Sequence, residues 1–221
     1  MVDINMNPKN IYTNLFLLFA ILATASLLSA NTIAVKLWDF YGFFLSGGII
    51  IFPLSYIIND VLTEVYGFDK AKKVVWLGFL ANIVFVTAIY IVQILPSAPF
   101  WTNQEAYEAI LGFTPRLLLA SFVAYLVGSL ANAKILSKMK VATQGKFLWM
   151  RTIGSTIVGE GLDSLIFVLI AFWGILPQEA IIPMILTQWG LKTAYEAILT
   201  PVTYAVVSAV KRHERIDTFD R

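Results

Sequence analysis

A 221-residue chain that is 58% hydrophobic, 14% aromatic and 14% charged, with mean hydropathy +0.76, is too apolar for a soluble domain, whose charged share averages about 25%. Its net charge of +2 excludes the dense basic surface of a nucleic-acid binder. It has no cysteine and one histidine, His213, in the polar C-terminal stretch, which removes disulfides, thiolate metal sites, iron–sulfur clusters and histidine chemistry from the apolar body. These features describe an all-α polytopic membrane protein, a single integral membrane domain over 1–221 that sits in the lipid bilayer and needs no cofactor or metal.

The first ten residues carry Asp3 and Lys9, and no small-residue cleavage pattern follows the next apolar run, so the N-terminal span is expected to be retained. A spanning helix needs about 20 mostly apolar residues, and six stretches qualify: 12–36, 42–66, 73–95, 115–136, 152–174 and 183–210, with a tail over 211–221. Positive charge collects at Lys70, Lys72 and Lys73, at Lys138, Lys140, Lys146 and Arg151, and at Lys211, Arg212, Arg215 and Arg221. Because Lys and Arg mark cytoplasmic loops, these regions share one side and both termini are expected in the cytoplasm. The opposite loops carry almost no positive charge: Lys36 near the end of the first span, Arg116 at the start of the fourth, and after the fifth only the acid Glu179. The loop over 96–114 holds Pro96, Pro99, Trp101, Glu105 and Glu108, and 103–111 reads as a short amphipathic surface helix before it reads as a ligand contact. Trp38, Trp76, Trp101, Trp149 and Trp173 fall near span ends, as an interfacial aromatic belt requires.

The second span contains Ile58-Asn59-Asp60-Val61-Leu62-Thr63-Glu64-Val65-Tyr66-Gly67. A charge at the bilayer centre costs about 2.5 to 3.5 kcal/mol on insertion scales, so these acids are a functional hypothesis by default. Tyr56, Asn59, Asp60, Thr63 and Glu64 recur at three- and four-residue spacing and share one helical face. Pro53, with Gly47 and Gly48 before it, predicts a kinked or discontinuous helix. In the fifth span, Arg151-Thr152-Ile153-Gly154-Ser155 leads to Gly159-Glu160-Gly161 and Asp163-Ser164. The glycines there are explained by close helix approach, and the acids are not. In the sixth span, Gln188, Lys192, Tyr195 and Glu196 share a face and bring a counter-charge, with a self-neutralising Lys192–Glu196 pair as the bland alternative. Four acids in one layer imply counter-charges, protons, or a cation or donor-rich ligand.

The acid pairs of the second and fifth spans lie about one hundred residues apart in sequence, as do Ser29-Ala30-Asn31 and Leu130-Ala131-Asn132, which precede Lys36 and Lys134. Three spans per half would give the halves opposite orientations, a possible 3+3 inverted repeat with the solute site between halves. There is no HExxH, no histidine triad, no glycine-rich phosphate loop and no GxGD context for an intramembrane aspartyl protease. The chain is therefore read as no enzyme, and its acids, amides and hydroxyls suit binding and conduction of a polar solute.

The run Phe52-Pro53-Leu54-Ser55-Tyr56-Ile57-Ile58-Asn59-Asp60-Val61-Leu62-Thr63-Glu64-Val65-Tyr66-Gly67, the stretch Arg151 to Ser155 with Gly159-Glu160 and Asp163-Ser164, and Lys192, Tyr195 and Glu196 resemble the queuosine precursor transporter family, also called the vitamin uptake transporter family. The resemblance covers about 20–210. It implies six helices, an S-component-like bundle and uptake of 7-deazaguanines such as 7-cyano-7-deazaguanine, its aminomethyl relative or queuine across the bacterial cytoplasmic membrane. A guanine-like edge offers N1–H and an exocyclic amine side by side, and a carboxylate accepts such parallel donors well. One of Asp60, Glu64, Glu160 and Asp163 would hold that edge, with Lys192, Gln188 or Asn59 donating to the carbonyl and Tyr56, Tyr195 or Trp189 stacking on the ring. Ser155 and Glu196 complete the expected substrate-binding set. The alternative is an S-component that captures a vitamin-like solute for a separate energising complex, and Ala20, Ala23 and Ala30 would then serve docking. A homodimer is compatible with the sequence and not legible in it.

Overall fold

In hydrocarbon every backbone amide must be paired within the protein, so long apolar runs close their hydrogen bonds as helices. The computed structural model describes residues 12–33, 35–40, 43–112, 115–174 and 177–219; Asp3, Lys9 and Arg221, used above to read the termini, lie outside them. Among the described residues there are seven α-helices: α1 (Asn14–Ile33), α2 (Phe52–Tyr66), α3 (Phe68–Ile94), α4 (Gln104–Leu111), α5 (Pro115–Ala142), α6 (Leu148–Phe172) and α7 (Gln178–Glu214). Five of them, all but α2 and α4, are long and apolar enough to cross a membrane, and the protein is multi-pass. Trp76, Trp149 and Trp173 are each about half exposed, as lipid-facing anchors would be.

The second span differs most from expectation. In place of one helix over 42–66, a hairpin of β1 (Leu37–Phe40) and β2 (Phe43–Ser46) pairs Leu37 with Ser46 and Phe40 with Phe43. A 3₁₀ turn over Gly47–Ile50 follows, and α2 begins only at Phe52. Pro53 sits in the first turn of α2 and kinks nothing, because a proline there removes an amide that has no helical partner anyway. Gly47 is fixed by close packing, since a Cβ there would lie 2.5 Å from the Ile33 carbonyl oxygen. At 15 residues α2 is about 22 Å long, short of the roughly 30 Å hydrocarbon core.

α3, α5, α6 and α7 overrun their expected limits, whereas α1 stays within 12–36. α3 starts directly after Gly67, whose φ of 87° and ψ of 165° suit glycine alone; α5 runs on to Ala142, and α7 extends from Gln178 to Glu214 through Pro183 and Pro201. Lys72, Lys73 and Lys140 therefore ride on helix ends and not in loops. The surface helix expected over 103–111 is present as α4.

α2 is the buried centre of the bundle. It packs against α1, α3, α5 and α7, and Ile58, Val61, Leu62 and Val65 join Phe16, Phe19, Val74, Leu148, Val207 and Val210 in the apolar core. α5 and α6 form an antiparallel pair closed at one end by the turn through Gly145. Arg116, at the start of α5, donates to the Ile170 and Trp173 carbonyls, each at 2.5 Å, capping the far end of α6. Midway the two helices touch backbone to backbone. A Cβ on Gly159 would lie 2.6 Å from Asn132 Cβ and 3.0 Å from the Gly128 carbonyl oxygen. Gly159→Ala should therefore separate the helices and cost about 1 to 3 kcal/mol, read as a lower thermal midpoint of the detergent-solubilised protein. An unchanged midpoint would show that the crossing relaxes freely.

The two spans compared across the halves are unlike in build, 15 residues in α2 against 25 in α6. Their companion asparagines also part company: Asn31 donates to Asn82 Oδ1 at 3.1 Å, whereas Asn132 packs on Gly159.

Candidate functional site

The polar faces of α2, α6 and α7 turn toward one another and divide into two layers. In the first, Lys192 of α7 reaches across to α6, where it pairs with Glu160 at 2.9 Å and more closely with Asp163. Its partners are thus the α6 acids. The intrahelical Lys192–Glu196 pair that spacing alone offers is not what forms, because two carboxylates on the facing helix outbid one on its own. Glu196 turns instead toward α2, where its carboxyl faces that of Asp60. Both residues are 1% exposed. The two carboxyls hydrogen-bond to each other, and no other described residue donates to Asp60 Oδ2 or to either Glu196 oxygen. Tyr56, also buried, lies among Glu160, Asp163, Tyr195 and Glu196.

Seven of the expected residues, Tyr56, Asp60, Glu160, Asp163, Lys192, Tyr195 and Glu196, are thereby brought together. A buried polar group needs a partner, and two facing carboxyls with acceptor capacity left beyond their mutual bond form a place that accepts N–H groups. Trp189 stands at the edge of this layer, its indole donating to the Ile157 carbonyl at 2.8 Å and its ring against Gly161.

Four expected residues are placed otherwise. Ser155 is fully buried and donates to the Thr152 carbonyl of its own helix at 3.0 Å. Asn59 and Gln188 are half-buried and, among the described residues, make no side-chain hydrogen bond that joins them to the layer. Glu64, one helical turn from Asp60, belongs to the second layer. Its Oε1 accepts from Arg151 at 2.7 Å and from Lys211 at 2.8 Å, with Lys140 at 3.8 Å. Lys140 also donates to the Glu64 backbone carbonyl at 2.5 Å.

This second layer includes a residue that the sequence does not single out. Asp217, beyond the end of α7, pairs with Lys211 at 2.9 Å and more closely with Lys140. Partial burial works to raise the Asp217 carboxyl, but the hydrogen bonds and charges of Lys140 and Lys211 outweigh it and hold it below the ordinary carboxylate value. The residue therefore stays ionised at neutral pH, and the pairing it makes is lost only as pH falls through that lowered value. Lys140, Arg151 and Lys211 read in the sequence as markers of the cytoplasmic side. Their burial shows that they also neutralise Glu64. The one available signal was Arg151, a cation placed just ahead of the apolar and glycine-rich run of α6.

The chain matches the family described as "Putative vitamin uptake transporter" over residues 46–206, a stretch that contains both layers except Lys211 and Asp217. It is 30% identical over 187 residues to the "Probable queuosine precursor transporter" of Bacillus subtilis (strain 168), covering 84% of this chain and 82% of that protein. It is 24% identical over 135 residues to the "Queuosine precursor transporter" of Escherichia coli (strain K12), covering 60% of this chain and 57% of the relative. The "Probable queuosine precursor transporter" of Haemophilus influenzae is 24% identical over 133 residues, covering 60% of this chain and 54% of the relative. No solved structure matches the chain. With most of its length matched and its buried acids on the matched helices, the chain belongs to the vitamin uptake transporter family, a family of membrane transporters and not of enzymes.

Proposed function

We propose that this protein imports a queuosine precursor, 7-cyano-7-deazaguanine, its aminomethyl relative or queuine, across the bacterial cytoplasmic membrane, holding it between α2, α6 and α7. The observation that carries this reading is the Asp60–Glu196 pair: two buried carboxyls face each other with no donor from the rest of the protein, beside a lysine already held by Glu160 and Asp163. The N1–H and exocyclic amine of a deazaguanine are adjacent donors that fill such acceptors. Tyr56 and Tyr195 supply ring faces for stacking, and Lys192, released in part from Asp163, donates to the ligand carbonyl. An aminomethyl cation would find a second carboxylate within the same layer.

Both termini face the cytoplasm in this reading, because the lysines at the start of α3, the turn between α5 and α6, and the end of α7 then share one side. An even number of crossings follows, and the sixth is made by the hairpin, the 3₁₀ turn and α2 together. A discontinuous segment of this kind, placed in one half of a 3+3 arrangement, is where transporters build solute sites.

The test is uptake by the purified protein alone in liposomes. Saturable entry of labelled 7-cyano-7-deazaguanine, competed by the other deazaguanines and not by adenine, is the expected result. Binding without entry unless ATPase partners are added would make the protein a capture component instead. Failure to bind any deazaguanine would remove the proposed substrate.

A further inference from the structure

Beyond α7 the chain turns at Arg215 and folds back under the bundle. The Thr218 amide donates to the Val65 carbonyl at 3.1 Å, joining the strap to the last turn of α2. Lys140 donates to the Thr218 carbonyl at 2.6 Å and lies over the Phe219 ring, 4.5 Å from its centroid. The same ring packs against Gly145 in the turn between α5 and α6. Asp217 meanwhile shares Lys140 and Lys211 with Glu64. Residues 217–219 are thus tied to α2, α5, α7 and the α5–α6 turn at the end of the bundle one helical turn from Asp60. The ion pairs here have an exposed partner, Asp217 being 46% exposed, and the remaining ties are two hydrogen bonds to Thr218 and the Phe219 ring, which makes the strap separable without unfolding the core.

We infer that residues 217–219 form the cytoplasmic gate of the transport cycle: the strap closes the inner mouth beneath the Asp60–Glu196 pair, and the Asp217 ion pairs must part for solute to leave. Lys140 and Lys211 then share Glu64 with Arg151. The inference rests on the reading that solute is held between α2, α6 and α7.

The absence of native cysteine allows a direct test in the full chain. A single thiol at Asp60→Cys, buried beneath the strap, should react slowly with a membrane-impermeant maleimide applied from the cytoplasmic side. Adding Asp217→Asn, or ending the chain at Ile216, should raise that rate tenfold or more; an unchanged rate in both backgrounds overturns the gate. In a second experiment, Lys146→Cys and Phe219→Cys are joined by a bis-maleimide that contains a reducible disulfide. Counterflow of 7-cyano-7-deazaguanine should fall at least tenfold on joining and return on reduction, with binding of the ligand unchanged. Full counterflow by the joined protein also overturns the gate. A failure of the substrate reading is distinct: it shows as no binding by the unjoined protein, and the thiol reactivity still decides the gate.

Discussion

Glu196→Gln should weaken binding of 7-cyano-7-deazaguanine by about 10- to 150-fold, the loss of a charge-assisted hydrogen bond worth about 1.5 to 3 kcal/mol. Gln keeps the size of the side chain, but its amide offers donors where the ligand also offers donors. Asp60→Asn should act in the same direction, and because the two carboxyls face each other, the double variant should lose less than the sum of the single losses. Equilibrium binding to the solubilised protein measures all three. Glu105→Gln, on the surface helix α4 and away from the three helices, serves as the control and should bind as the unaltered protein does. If Glu196→Gln and Asp60→Asn both bind normally, the ligand is not held by this pair.

Glu64→Gln should destabilise the protein far more than it alters affinity. Removing one member of a buried ion pair costs about 3 to 5 kcal/mol, because the remaining charge is left without compensation. Here three cations, Arg151, Lys140 and Lys211, meet one carboxylate that is fully buried. The expected result is a large fall in the thermal midpoint or loss of folded protein from the membrane. A second change, Arg151→Gln, should then restore part of the loss by removing the uncompensated cation, and the cycle of single and double variants gives the coupling. A stable single variant with normal midpoint would mean that solvent or lipid headgroups screen the layer.

Local spacing made the polar faces legible. Asp60 and Glu64 on one helix, Glu160 and Asp163 on another, and Lys192 and Glu196 on a third each recur at helical intervals, and the fold turns those faces inward because no other place in a bilayer tolerates them. Spacing within a helix does not fix which helix stands opposite: the counter-charge expected of Lys192 is met on α6, and only the alternative pair along α7 does not form. Lys192 and Glu196 are ideally separated for an intrahelical pair, yet Lys192 binds the α6 acids and Glu196 faces Asp60. The same limit hid the role of Glu64, whose partners come from three separate stretches of chain. The hairpin before α2 escaped for a different reason. An apolar run rich in Phe, Leu and Ile satisfies a length criterion for a span whether it is helical or extended, and only Gly47, Gly48 and Pro53 hinted at the break.

The placement of Asp60 and Glu64 on one short helix has a thermodynamic consequence. α2 is a rigid rod of 15 residues whose lower end is pinned to α3 through the single residue Gly67. Asp60 cannot shift toward a ligand without carrying Glu64, and Glu64 cannot leave its cations without moving Asp60. The two layers therefore share a coupling free energy, and such coupling is reciprocal. Whatever factor solute binding contributes to loosening the basic layer, a loosened basic layer returns to solute affinity, so a substitution confined to that layer should register as a change in affinity at a site it does not touch.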